Sequence, residues 1–203
     1  MSAEKIIGDW KKKSFKNIYW LEGEEDYYID IIMDFAEHKI LTEAEAGFNL
    51  TVFYGKDADV ISILNEAKQY PAFANRRVVI VREAQDIKIK DWEIFEKYFE
   101  QPVASTILVF AHKNKALDKR TKIAKLIEKK TLYYESKKIS EDALPQWILG
   151  YVKKKNFLIA NDAAKLLSES LGNDLSRITS EIDKLSVLLA ENATITSEII
   201  EKY

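Results

Sequence analysis

The run Val78-Val79-Ile80-Val81 constrains the fold more than any other segment. It lacks the alternation of a half-exposed strand, so both of its faces must be covered. The segment Arg77 to Arg82 therefore reads as a buried strand, and similar short segments recur at Asn17 to Glu22 (NIYWLE), Phe48 to Tyr54 (FNLTVFY), Thr106 to Ala111 (TILVFA) and Thr131 to Glu135 (TLYYE). Helical patterns lie between them. Glu24 to Ile40 puts Tyr28, Ile31, Ile32, Phe35 and Ala36 on one side, and Ala58 to Tyr70, Asp91 to Phe99 and Leu117 to Lys130 follow. Strands alternating with helices predict an α/β fold, a parallel sheet with helices on both faces. Its crossovers are expected to be right-handed, with sites at the carboxyl ends of the strands. The start, MSAEKIIGDWKKK, reads as an amphipathic helix.

After about Lys138 strands are expected to stop. Glu141 to Lys155 is helical, with Leu144, Trp147, Ile148, Tyr151 and Val152 facing inward. Asn161 to Leu171 is helical and closed by Gly172. In Asp174 to Ala190, Leu175, Ile178, Ile182, Leu185 and Leu189 recur at steps of three and four. The division is an α/β domain over 1–138 and a small all-α domain over 139–203. Thr196 would cap a last helix, with Ile195 and Ile200 as a hydrophobic staple. Barely two turns precede Tyr203, and a helix that short is marginal unless packed. It is expected to dock on the helical domain, and the natural protein is expected to continue beyond it.

With 203 residues, 47% of them hydrophobic and 32% charged, the chain is globular rather than disordered. Neither a membrane-length apolar run nor a secretory leader is present. The lack of cysteine excludes disulfides and thiolate metal sites and fits a reducing cytoplasm. His38 and His112 have no metal-ligand spacing, so neither a metal nor a cofactor is expected. The net charge of −2 carries no message about nucleic acid. Lys113 to Lys138, however, holds ten Lys/Arg against three Asp/Glu. Within it Lys119, Lys122, Lys125 and Lys129 form a stripe on one helix, opposite Ile123, Ala124 and Ile127. Such a stripe is either a solvated face or a sequence-independent phosphate contact.

Asn65 to Val81, NEAKQYPAFANRRVVIV, holds the most distinctive loop. Pro71 ends the preceding helix because it has no N–H to donate. The tip Ala72-Phe73-Ala74 follows, then Asn75, Arg76 and Arg77. Loops usually carry polar turn residues, so Phe73 is either a core residue under the loop or an exposed plug for another protein.

An α/β domain followed by a helical lid resembles the layout of the P-loop-NTPase-like AAA+ ATPases. Their phosphate motif, GxxxxGK[ST], belongs at the first strand-to-helix turn. That turn here is Leu21-Glu22-Gly23-Glu24-Glu25-Asp26-Tyr27, with one glycine, no lysine and no hydroxyl. Carboxylates at a helix start satisfy its dipole and repel phosphate. After Val81, the segment Arg82-Glu83-Ala84-Gln85-Asp86 supplies no magnesium-binding pair. Neither ATP binding nor hydrolysis is expected.

The segments IYWLEGEEDYYID, EAKQYPAFANRRVVIV, TILVFAHKNKALDKRTKIAKLIEK and LPQWILGYVKKKNFLIANDAAKLLSESLGNDLSRITSEIDKLSVL resemble, in order and spacing, the delta subunit of the bacterial DNA polymerase III clamp loader. The resemblance implies a subunit of the DNA polymerase III holoenzyme without catalytic residues or cofactor of its own, the wrench that binds and opens the sliding clamp (the beta subunit) for loading onto primed DNA. It implies a third, collar domain, absent from this sequence, through which the other loader subunits (gamma/tau and delta-prime) assemble. It also implies primer–template DNA within the assembled loader. The family's two-residue apolar plug maps onto Ala72 and Phe73, with Tyr70 and Pro71 as helpers. Ala72 departs from the usual bulkier aliphatic, leaving Phe73 as the main anchor. Arg177 lies near the AAA+ lid arginine but is read as structural, pairing with Glu181. The rivals are a delta-prime stator, opposed by the lack of cysteine, an active P-loop ATPase, opposed by the acidic turn, and a nucleic-acid-binding AAA+-like adaptor that uses the lysine stripe without clamp affinity.

Overall fold

Five strands, β1 (Ile18–Gly23), β2 (Leu50–Tyr54), β3 (Arg77–Arg82), β4 (Thr106–Lys113) and β5 (Leu132–Ser136), pair in parallel in the order β2-β3-β4-β1-β5. The structure is a computed structural model and describes residues 1–189 and 193–202. It divides into two compact units, Met1–Lys137 and Lys138–Tyr203.

Successive strand residues point to opposite faces, so each apolar run feeds two cores. On one face Tyr19, Leu21, Val78, Ile80, Ile107 and Val109 pack with α1 (Ala3–Lys11) and α2 (Asp26–Lys39). On the other, Trp20, Val79, Val81, Leu108 and Phe110 meet α4 (Val60–Lys68), α5 (Glu96–Glu100) and α6 (Lys122–Lys130). α3 is the short helix Glu43–Asn49. Phe110 is the hub of the second core, with Trp20, Trp92, Phe95 and Phe99 at ring-centroid distances of 5.2–6.2 Å.

The turn from β1 into α2 is closed by β5. Glu24 and Glu25 donate their backbone N–H groups to Ser136 O at 3.0 and 3.3 Å, and Ser136 Oγ donates to Glu25 O at 2.7 Å. Gly23 has φ +131°, and a Cβ there would stand 2.0 Å from Ser136 O. The glycine is required by this close approach of two backbones.

Several boundaries differ from expectation. Phe48 and Asn49 end α3, a helix the sequence reading missed, and are not part of β2. A Thr42–Glu45 capping box starts that helix. Asp91 to Phe99 is not one α-helix, since Ile89–Phe95 is 3-10 and α5 begins at Glu96. α6 begins at Lys122 behind the cap residue Thr121, so Leu117 to Arg120 lies outside the helix. α2 begins at Asp26 with Glu25 as its cap, which leaves Glu24 outside the helix.

In the second unit α7 (Leu144–Lys154), α8 (Asn161–Leu171) and α9 (Leu175–Leu188) bury Ile148, Val152, Ala163, Leu167, Ile178, Ile182 and Leu185. α8 stops at Gly172, φ +63°. Trp147 and Tyr151 are only half-buried, stacked on each other at 5.5 Å. Strands do not stop at Lys138. The two-residue strands β6 (Leu158–Ile159) and β7 (Thr194–Ile195) pair in parallel. α10 (Ser197–Lys202) is tied to α8 by Ser197 Oγ donating to Asp162 Oδ2 at 2.9 Å. Ala190, the expected last residue of the third helix, and Tyr203 lie outside the described residues.

Removing the aromatic hub with Phe110→Ala should lower unfolding free energy by about 3–5 kcal/mol, read by urea titration. Gly23→Ala should cost about 2 kcal/mol or more, because it combines an unfavourable φ with a backbone clash. Equal urea midpoints for Gly23→Ala and the parent would contradict the closed turn.

Candidate functional site

Phe73 is 100% exposed and Tyr70 79% exposed, with Pro71 and Ala72 half-buried between the end of α4 and the start of β3. The core reading of Phe73 is thus excluded by its position. Phe73 also has φ +55°. A left-handed conformation costs a non-glycine residue about 1–2 kcal/mol, so surrounding contacts must hold the backbone there.

Those contacts lie beneath the tip. Arg77, the first residue of β3, is 6% exposed and ion-paired with Glu66 of α4. Its Nη2 also reaches the carbonyls of Phe48 at 3.4 Å and Tyr70 at 3.5 Å. Glu66 accepts further bonds from Thr51 Oγ1 at 3.0 Å and Gln69 Nε2 at 3.2 Å. Asn49, fully buried, bonds both backbone groups of Ala72. Immediately before β3, Arg76 Nη1 donates to Ala104 O at 2.9 Å and its guanidinium lies over the Phe15 ring. Phe48, 68% exposed, is a further apolar side chain on the rim of this assembly.

Asn49, Glu66 and Arg77 were missed by the sequence reading. Arg77 was read only as the start of a strand. A charge beginning a fully buried strand was the available signal, because it demands a partner. Asn49 gave none, since it sat inside an apparent strand.

The tip stands at the amino ends of the strands, as every helix-to-strand connection must in a parallel sheet. The expectation that sites gather at the carboxyl ends does not describe it. At the carboxyl end of β1, Glu22 is 1% exposed and accepts bonds from Trp20 Nε1 at 2.7 Å, Leu117 N at 3.3 Å and Tyr133 OH. Burial, reinforced by the Glu22 carboxylate, pushes the Tyr133 phenol well up. His112, beside this cluster, bonds Lys115 O at 2.9 Å, and burial lowers its pKa. The amides of Glu24 and Glu25 are directed at Ser136 O, so they do not form a phosphate cradle.

The lysine stripe is broken. Lys119 precedes α6, pairs with Glu135 at 3.0 Å and lies over the Tyr133 ring. Lys122 pairs with Glu96 at 2.8 Å. Lys125 and Lys129 are exposed on α6, while Ile123, Ala124 and Ile127 are buried behind them. In the second unit Glu181 bonds Lys184 at 2.8 Å rather than Arg177. Among the described residues no group of three His, Cys, Asp or Glu is placed to hold a metal, and no helix is long and apolar enough to cross a membrane.

A curated DNA polymerase III subunit delta of Bacillus subtilis (strain 168) is 25% identical over 199 residues, covering 94% of this chain and 57% of the relative. The solved Bacillus subtilis DNA clamp loader delta protein superposes with a TM-score of 0.80 at 23% identity, over 98% of this chain and 61% of that one. A DNA polymerase III gamma subunit-related protein of Thermotoga maritima gives a TM-score of 0.53 at 14% identity, over 90% and 58% of the two chains. The chain thus spans roughly three fifths of the length of these relatives. The structural likenesses establish a clamp-loader-like α/β fold. The model of the family described as DNA polymerase III, delta subunit, matches residues 19–137, more than half of the sequence, and the chain belongs to that family.

Proposed function

We propose that this chain binds a bacterial sliding clamp through Phe73 and favours the clamp's open form, as the non-ATPase wrench of the DNA polymerase III clamp loader. The observation that carries the reading is a fully exposed phenylalanine on a left-handed tip whose backbone is bonded from beneath. A rigid aromatic entering a desolvated pocket is a typical hot spot, worth about 2 kcal/mol or more on truncation. A held tip loses less entropy on docking. Opening a ring needs no chemistry from the binder, only tighter binding to the open form than to the closed one.

In this reading Phe73 is the anchor, with Tyr70, Pro71 and Ala72 around it. Residues 1–138 form the AAA+-like module that carries the tip and 139–203 the helical lid. Assembly with gamma/tau and delta-prime runs through a collar domain, and the protein works in the cytoplasm. Primer–template DNA is met only within the assembled loader. A nucleic-acid adaptor without clamp affinity draws less support, because Glu135 and Glu96 occupy two of its four lysines.

Phe73→Ala should reduce binding to an immobilised bacterial sliding clamp by about 30-fold or more, the equivalent of the hot-spot energy above, and shift the melting temperature by less than about 2 °C. Retained affinity in that variant would remove Phe73 from the site. Calorimetric titration with magnesium-ATP should show no heat of binding, since the turn amides are already bonded and its helix is capped by a carboxylate. Micromolar affinity for the nucleotide would overturn the non-ATPase assignment.

A further inference from the structure

We propose that Asn49 is a positioning residue for the Phe73 plug, its buried carboxamide fixing the Ala72 backbone and so the direction in which the next side chain leaves the fold. The inference rests on the clamp-binding reading above.

Phe73 is fully solvated, so its own ring contacts cannot aim it. Its direction is set by the backbone on either side. Asn49 holds that backbone at two points. Nδ2 donates to Ala72 O at 2.8 Å, and Oδ1 accepts from Ala72 N at 2.7 Å. The second Nδ2 hydrogen goes to Glu45 O at 2.9 Å. The three bonds fix the amide orientation, because a flipped carboxamide would set donor against donor and acceptor against acceptor. The pairing imitates a strand neighbour where no strand exists, and it pins the peptide groups on both sides of the Ala72 Cα. Rotation about the adjoining bonds would swing the Phe73 ring through a wide arc.

The carboxamide is itself well held. Asn49 closes α3, whose start is fixed by the Thr42–Glu45 capping box. Its neighbour Phe48 receives the Arg77 guanidinium, which also reaches Tyr70 O. Tyr70 is thus tied to β3 and Ala72 to the end of α3 by separate side chains. A purely structural asparagine would stabilise the fold without regard to Phe73. A positioning asparagine should be energetically coupled to that ring, and this difference is measurable.

The test uses Asn49→Ala and Asn49→Asp in the 203-residue chain, with binding to an immobilised bacterial sliding clamp measured by surface plasmon resonance. Asn49→Asp keeps the acceptor for Ala72 N but turns a carboxylate toward two carbonyls. Both variants should bind about 10-fold more weakly than the parent. In a Phe73→Leu background the same changes should cost far less, because the misaimed group matters less. A second readout needs no clamp: a fluorinated phenylalanine at position 73 should give a narrower, motionally averaged ¹⁹F line in the Asn49 variants. Parental affinity in both variants, or an identical fold-loss in the Phe73→Leu background, would overturn the inference. If the parent itself fails to bind the clamp, the reading of the previous subsection falls. The ¹⁹F line then decides alone, narrowing supporting the positioning role and an unchanged line refuting it. If Asn49→Ala does not fold, Asn49→Asp carries both readouts.

Discussion

A guanidinium buried at the first residue of β3 ties the tip to the sheet. Arg77 cannot sit at 6% exposure without compensation, and Glu66 supplies the opposite charge from the last turns of α4. The pair joins the helix before the tip to the strand after it, and Nη2 reaches carbonyls on α3 and at Tyr70, while Nε is buried without a partner. Burial makes the pair unforgiving on one side, since loss of Glu66 strands the guanidinium inside the fold, at a typical cost of about 3–5 kcal/mol. The loop in between is therefore bounded by fixed points. Its exposed aromatics, Tyr70 and Phe73, are displayed by a rigid frame rather than by a floppy connection.

The two ends of the sheet are built on different terms. At the carboxyl end of β1, a buried carboxylate, a tyrosine hydroxyl, an indole N–H and a backbone amide satisfy one another. Ser136 closes the turn where a nucleotide-binding relative would leave amides free. That end is occupied by the protein's own groups. At the amino end Arg77 Nε, Ser105 Oγ and Thr106 Oγ1 are buried without a hydrogen-bond partner, and the apolar side chains Tyr70, Phe73 and Phe48 are exposed. Those three exposed apolar side chains share the edge that carries the tip, and Phe73 is the most exposed of them.

What the sequence disclosed follows from which forces are local. Val78–Val81 and the TILVFA run were readable because burial on both faces leaves a continuous apolar signature. Phe73 was readable as an anomaly, although its choice between inside and outside was not, since hydrophobicity alone serves both. α3 was misread because Phe48 and its neighbours suit a strand, while the capping box that decides the matter lies in a polar stretch upstream. The lysine stripe was overread because its first member falls before the helix starts, and its ion-pair partners on α5 and β5 are distant in sequence. Asn49 and Arg77 matter through contacts spanning 23 and 11 residues, which no periodicity encodes.

Full solvation of the Phe73 ring has a kinetic corollary. A side chain packed on its own domain must first break away before it can engage another surface, and that opening step throttles association. Here nothing has to be released. Under the clamp-binding reading, this module is permanently armed. Any schedule for when it meets the ring must then be imposed from outside, by a neighbour that shields the tip or by competition for the same pocket.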